Sequence, residues 1–318
     1  MRVLIIGYSA IVRKRVIPAL RKLQDIEEID IATRSKANTA AQELPTAKVF
    51  TDYQKACRAS SAELVYVSLV NSEHVRWAEE ALRTGRHVIV DKPAFTKLAD
   101  AQRLADFATK KNLCLAEATV YAWHLQIEKT LQLFHSKATS PTRITTTFCF
   151  PPLPENNFRY QKHLGGGALF DLGPYAISPG RIFFHTEPEE IFCRICTRHP
   201  QTGVDTAFSI LAIYPGGRSL VGHFDFNTEY RNYLNVLGHG MSVDIDRVFT
   251  TPSDMDNTLV MRTHNTVQPI TVPAADAFAL FFTDVSTAIQ KKSFTHFTET
   301  LVSDARVLHK MRAAAQED

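Results

Sequence analysis

Along the first 115 or so residues, short continuous apolar runs at 2–6, 29–33, 64–68, 87–90 and 113–116 alternate with segments of helical spacing at 11–23, 37–43, 74–84 and 98–111. Strands apolar on both faces and separated by helices predict a parallel sheet covered on both sides. Right-handed crossovers then make it doubly wound. The pattern changes near Thr142. Runs at 143–150, 190–197, 206–214, 218–227, 233–237, 241–245 and 267–272 read as strands. Gly216-Gly217 and Gly238-His239-Gly240 supply hairpin-type turns between them. A helix at 173–184 interrupts this half, and helices at 276–290 and 297–315 close the chain. The expectation is an α/β protein of two domains, 1–120 and 121–318, divided near 118–125, with the last helices free to pack on the first domain. The second domain should carry a large open, mostly antiparallel sheet.

Composition narrows the function. The chain has 318 residues, 45% of them hydrophobic and 22% charged, as in an ordinary globular protein of two cores. A net charge of +3, without a dense basic block, points away from nucleic acid and membrane surfaces. No apolar run approaches the ~20 residues of a membrane helix, and the apolar N-terminus is too short for a signal peptide. The five cysteines are odd in number and scattered, a poor disulfide framework that fits a cytoplasmic protein. Cys193 and Cys196 form a C-x-x-C within a strand, where residues three apart point to opposite faces, so no metal site is expected.

Candidate chemistry begins where the first strand meets Gly7-Tyr8-Ser9-Ala10-Ile11-Val12. A dinucleotide fold wants G-x-G-x-x-G/A there, so that backbone N–H groups approach the pyrophosphate at a helix N-terminus. Only Gly7 fits; Ser9 and Val12 replace the later small residues. Pro18 should kink the helix that follows. After the second strand, where an acid would bind the ribose 2′-hydroxyl of NAD, stand Thr33, Arg34 and Ser35. A cation flanked by hydroxyls suits a 2′-phosphate, hence NADP(H), with NAD(H) as the alternative. Asn71 and His74 open the next helix as cofactor contacts or as caps. Asp91-Lys92-Pro93 follows another parallel strand, at the carboxyl end where such sheets bind ligands. In the second half, Arg159 and Tyr160 precede Gly165-Gly166-Gly167, which suggests backbone bent closely around something. Asp171 and Tyr175 follow, four apart and therefore on one helix face.

Together these residues resemble the Gfo/Idh/MocA family of nicotinamide-dependent oxidoreductases over nearly the whole chain. The carriers are the Gly7 turn, Asn71 with His74, Asp91-Lys92-Pro93 (E-K-P in most members), Glu117, and the stretch 165–175. The resemblance implies an N-terminal Rossmann domain and a C-terminal α/β domain with a large open sheet. Tyrosine at position 175 looks like the branch containing glucose–fructose oxidoreductase, dihydrodiol dehydrogenase and the sugar 3-ketoreductases, and 229–232 with 247–252 look most like its nucleotide-sugar members. What it implies is hydride transfer at C3 of a nucleotide-linked keto sugar, with Lys92, Tyr175 and Asp171 as the catalytic set. Tyr175 is the proton donor and Lys92 its electrostatic partner, or the reverse. Asp171 orients a substrate hydroxyl or Lys92. Gly7, Tyr8, Ser9, Ala10, Ile11, Thr33, Arg34, Ser35, Asn71, His74, Asp91 and Lys92 are the expected cofactor contacts. Lys92, Arg159, Tyr160, Gly166, Asp171 and Tyr175 are the expected substrate contacts. Family members pair through the large sheet, so a homodimer or higher homo-oligomer is implied. The alternatives are a dehydrogenase of a free sugar, inositol or dihydrodiol, and a non-catalytic cofactor-binding sensor on the same fold.

Overall fold

A computed structural model describes residues 1–315. It divides into two compact units. One comprises Met1–Thr119 with Phe278–Ala305, the other Val120–Ala277 with the chain from Arg306 onward.

The first unit is built on a six-stranded, wholly parallel sheet with the order β3-β2-β1-β4-β5-β6. Its strands are β1 (Arg2–Ile6), β2 (Glu28–Ala32), β3 (Val49–Phe50), β4 (Leu64–Val67), β5 (His87–Asp91) and β6 (Leu115–Ala118). The helices between them are α1 (Ile17–Leu20), α2 (Ala37–Glu43), α3 (Tyr53–Ala59), α4 (His74–Arg83) and α5 (Leu98–Lys110). β1 and β4 are buried almost throughout because helices cover both faces, which is why their sequences show no alternation. The strand order reverses between β1 and β4, so the crevice at their carboxyl ends is the topological switch point. The segment ahead of α1 is a wider π-helical turn, Val12–Val16, and Pro18 falls at the start of the α-helical part. A proline there gives up only an N–H that a helix start leaves unpaired. β3 and α3 have no counterpart in the sequence reading; a two-residue strand leaves no periodicity to detect.

The second unit holds an eight-stranded sheet, β14-β13-β12-β11-β7-β10-β9-β8. Its strands are β7 (Pro141–Cys149), β8 (Glu190–Arg198), β9 (Asp205–Tyr214), β10 (Arg218–Asp225), β11 (Arg231–Gly238), β12 (Met241–Asp246), β13 (Asn257–Thr263) and β14 (Val267–Val272). All neighbours are antiparallel except β7 with β10. β13, missed from sequence, alternates buried and partly exposed positions as a one-sided strand should. The helices of this unit are α6 (Leu125–Ser136), also missed, α7 (Ala168–Asp171) and α8 (Gly173–Phe184). α9 (Ala277–Gln290) and α10 (Thr295–Ala314) end the chain. One sheet face and α8 enclose a core rich in phenylalanine, including Phe148, Phe208, Phe224 and Phe226.

Candidate active site

The turn after β1 is fitted to the end of β4. Gly7 has φ +104°, and a Cβ there would run into the carbonyl oxygen of Ser68. Only glycine allows both that dihedral and that approach. Ser9 then takes the place of the missing second glycine: its Oγ accepts the Val12 N–H at 3.2 Å and stands 2.9 Å from the Ser68 hydroxyl. Tyr8 is buried, and its hydroxyl donates to Glu43 Oε2 at 2.6 Å. Arg13 donates to the same carboxylate through Nε at 2.9 Å. These bonds to Glu43, with burial, push the Tyr8 phenol up to about 12, burial being the largest cause. Glu43 is held below its usual range, chiefly by Arg13.

At the end of β2 the expected trio separates. Thr33 is buried and its N–H donates to the Phe50 carbonyl at 2.8 Å, so its backbone is part of the sheet. Arg34 and Ser35 are exposed. The Arg34 guanidinium lies over the Tyr53 ring at 4.5 Å and near Trp77 at 5.7 Å, so α3 and α4 give it an aromatic seat. That seat was invisible in the sequence because α3 was not recognised.

His74, expected as a cofactor contact or a cap, is completely buried. Nδ1 faces the Pro93 carbonyl at 3.0 Å and the Ala94 carbonyl at 3.2 Å, while Nε2 faces the Leu69 carbonyl at 3.0 Å. With both ring nitrogens taken by backbone, its part is to tie the loop after β4 to the loop after β5. Asn71 beside it is buried too, in a short 3₁₀ turn. Glu117 completes the clamp: Oε2 accepts the Ala94 N–H at 2.7 Å, and Oε1 the Thr119 hydroxyl at 2.6 Å. Lys92 stands just past the last residue of β5, half-buried, on the loop these two residues hold. Asp91 takes the hydroxyls of Tyr66 and, at 2.5 Å, Ser68.

In the second unit, the glycines bend around the chain itself. A Cβ on Gly166 would stand 2.5 Å from the Arg159 carbonyl oxygen, and one on Gly167 would stand 2.5 Å from the Asp205 carboxylate. Asp205 Oδ2 in turn accepts the Leu169 N–H at 2.7 Å, in the first turn of α7. Burial raises the Asp205 carboxyl above its ordinary value. Asp171 and Tyr175 are not on one continuous helix, as their spacing suggested. Leu172 breaks the run between α7 and α8, and the Tyr175 N–H bonds back to the Leu172 carbonyl. Asp171 faces Arg159, whose Nε lies 2.8 Å from Oδ2. Tyr160 is a core residue: its hydroxyl accepts the Leu153 N–H at 3.1 Å, and its ring packs on His199. Tyr175 is half-buried against the rings of Tyr121, Phe148 and Phe249, with centroids 4.9 to 5.9 Å away.

A doubly wound sheet with a glycine turn at its switch point is the arrangement of a dinucleotide-binding domain. The chain belongs to the Gfo/Idh/MocA family. The model of the oxidoreductase family with an NAD-binding Rossmann fold matches residues 1–119, and that of the Gfo/Idh/MocA C-terminal domain matches residues 138–244. It is 29% identical to a dTDP-3,4-didehydro-2,6-dideoxy-alpha-D-glucose 3-reductase of Saccharopolyspora spinosa, across 87% of this chain and 83% of the other. It is 30% identical to the same enzyme of Streptomyces violaceoruber, across 80% and 75%. Among solved structures it resembles a 3-ketoreductase from Actinomadura kijaniata in complex with NADP and TDP-benzene. The TM-score is 0.92 and the identity 25%, over 99% of this chain and 98% of that one. Variants of that enzyme with a tyrosine changed to phenylalanine and a lysine changed to alanine have also been solved.

Proposed function

We propose that the protein reduces the 3-keto group of a nucleotide-linked sugar with NADPH. The observation that carries this reading is the likeness to dTDP-sugar 3-reductases across both halves of the chain, joined to a strand-end lysine and an α8 tyrosine. The first unit fits a dinucleotide: Gly7 presents backbone without a side chain, and the exposed Arg34 and Ser35 suit a 2′-phosphate. Bound there, NADPH supplies the hydride. As negative charge grows on the carbonyl oxygen, the Lys92 ammonium stabilises it more than it stabilises the ground state. Tyr175 delivers the proton. Its ring is fixed by three aromatic neighbours, so its hydroxyl has little freedom to lose on reaction. Arg159 holds the Asp171 carboxylate one turn ahead of Tyr175, which makes that pair the reader of a substrate hydroxyl.

The test is NADPH consumption with a panel of 3-keto sugar nucleotides, free aldoses and diols. Tyr175→Phe and Lys92→Ala should each lower kcat by about 10²–10⁴ while NADPH still binds. Consumption with free sugars only, or near-normal turnover in both variants, refutes the reading.

A second copy on the open sheet face belongs to the same proposal. Phe192, Leu211 and Val221 are lateral neighbours on β8, β9 and β10, and they are 56, 37 and 41% exposed. Three adjoining apolar side chains directed to water make a contiguous patch rather than scattered exposure.

A further inference from the structure

The turn after β1 and the residue before Lys92 are joined by an unbroken hydrogen-bond chain whose direction is fixed. Asp91, as a carboxylate, can only accept, so the Ser68 hydroxyl spends its one proton on Oδ2, at 2.5 Å. Ser68 therefore accepts from Ser9, 2.9 Å away, and Ser9 spends its own proton there. The lone pair left on Ser9 accepts the Val12 N–H at 3.2 Å. Each donor in the series Val12, Ser9, Ser68 has one acceptor, and the series ends on a charge. The main chain makes the same junction, because Gly7 is seated on the Ser68 carbonyl and the Ser68 N–H donates to the Ile6 carbonyl at 2.8 Å. Ser68 is buried at the end of β4 and touches the turn on one side and β5 on the other.

We propose that Ser9 and Ser68 are positioning residues that couple dinucleotide binding at the Gly7 turn to the placement of Asp91 and Lys92. The proposal rests on the reading that this turn binds the cofactor. Two departures from the family pattern meet in it. Serine replaces the second glycine of the turn, and aspartate replaces the glutamate before lysine. The hydroxyl that the turn gains is the group that reaches, through Ser68, the shorter acid. A turn settled on a pyrophosphate holds Ser9 against Ser68, which holds Asp91 and fixes the strand end from which Lys92 projects. Neither serine touches substrate in this scheme.

The test is fluorescence titration of the full-length protein with NADPH, for Ser9→Ala, Ser68→Ala and the double variant, with melting temperature as the check on folding. Each single change should weaken binding about tenfold. The double variant should be no weaker than the worse single, because either change breaks the same chain. Ser9→Thr, which keeps the hydroxyl, should restore binding, and Ser68→Ala should also lower kcat at saturating NADPH. Independent effects that multiply to about a hundredfold, or binding unchanged in both singles, overturn the coupling. A wild-type protein that binds NADPH but reduces no keto sugar refutes the proposed reaction instead and leaves the coupling standing on the titration. If the wild-type protein binds no dinucleotide, the reading of the turn fails and the coupling falls with it.

Discussion

Replacing His74 separates a structural clamp from a cofactor contact. The ring has no exposed surface and meets backbone carbonyls on both sides, Leu69 on one and Pro93 with Ala94 on the other. Leucine fills much of the volume and donates nothing, so at least one of these carbonyls loses its donor. A buried polar group left unpaired costs about 1–3 kcal/mol, which puts His74→Leu at about 1–3 kcal/mol. Typical domains have about 5–15 kcal/mol in hand, so the variant should fold with a visibly lower urea midpoint. Asparagine can place its amide near the Nδ1 position, and glutamine near Nε2. His74→Asn and His74→Gln should therefore each lose about half as much. Equilibrium urea unfolding gives the stabilities, and NADPH titration of the same samples gives the binding. A loss below about 1 kcal/mol for His74→Leu, with NADPH binding sharply reduced, would refute the clamp and return His74 to the cofactor.

Arg34→Ala should raise the Michaelis constant for NADPH about 10–100-fold and leave that for NADH nearly unchanged, since a charge-assisted bond to phosphate contributes about 1.5–3 kcal/mol; equal effects on both cofactors refute the assignment. If the exposed apolar row pairs two copies as proposed, the wild type should sediment as a dimer and Leu211→Arg as a monomer of unchanged melting temperature, whereas a monomeric wild type or an unchanged coefficient in the variant refutes the pairing. Burial holds His87 and His124 below the ordinary imidazole value. The unfolded chain then takes up protons near pH 6.5 that the native chain refuses, so stability should fall as pH drops below about 6.5. For the deeply buried His124 the slope reaches at most about 1.4 kcal/mol per pH unit, and less for the more solvated His87. A flat urea midpoint from pH 7.5 to 5.5 would contradict this.

The parallel sheet was legible because strands buried on both faces are written as uninterrupted apolar runs, and α8 because its residues keep one long apolar stretch. β3, two residues long, has no period to show, and α3 went unread although Tyr53, Ala56 and Cys57 keep helical spacing. Their absence hid the aromatic seat of Arg34. Spacing placed Asp171 and Tyr175 on one face, but it could not show the break at Leu172, which depends on where individual N–H groups bond. Tyr160 and Thr33, expected at the site from their neighbours in sequence, also serve the fold. Both are polar groups used by the interior, where a hydroxyl or an N–H must find a partner in the fold. Ser68 had the opposite fault. It carried no motif, and its importance lies in three neighbours supplied by β1, the turn and β5.

The eroded glycine pattern of the first turn is also the main argument for a sensor that has lost catalysis, and the structure weakens it. Glycines give a phosphate-binding turn its shape by conformational freedom, which costs entropy each time the turn is ordered. Here the shape is held by side chains instead. Ser9 accepts the Val12 N–H, the Tyr8 hydroxyl is fixed on Glu43 with Arg13, and the Lys36 ammonium reaches the Tyr8 carbonyl at 3.4 Å. Only Gly7, whose dihedral and contact with Ser68 admit no side chain, had to stay. A turn held in this way is ordered before any ligand arrives, and preorganisation favours binding rather than opposing it. In the second unit the same reasoning runs in reverse. The glycine triplet looked like ligand-facing backbone, yet Gly166 and Gly167 are required by Arg159 and Asp205 of the chain itself. Their work is to set the start of α7, and through it the approach to Asp171 and Tyr175. At both places the space around a Cβ, rather than the number of glycines, decides which residues the backbone tolerates.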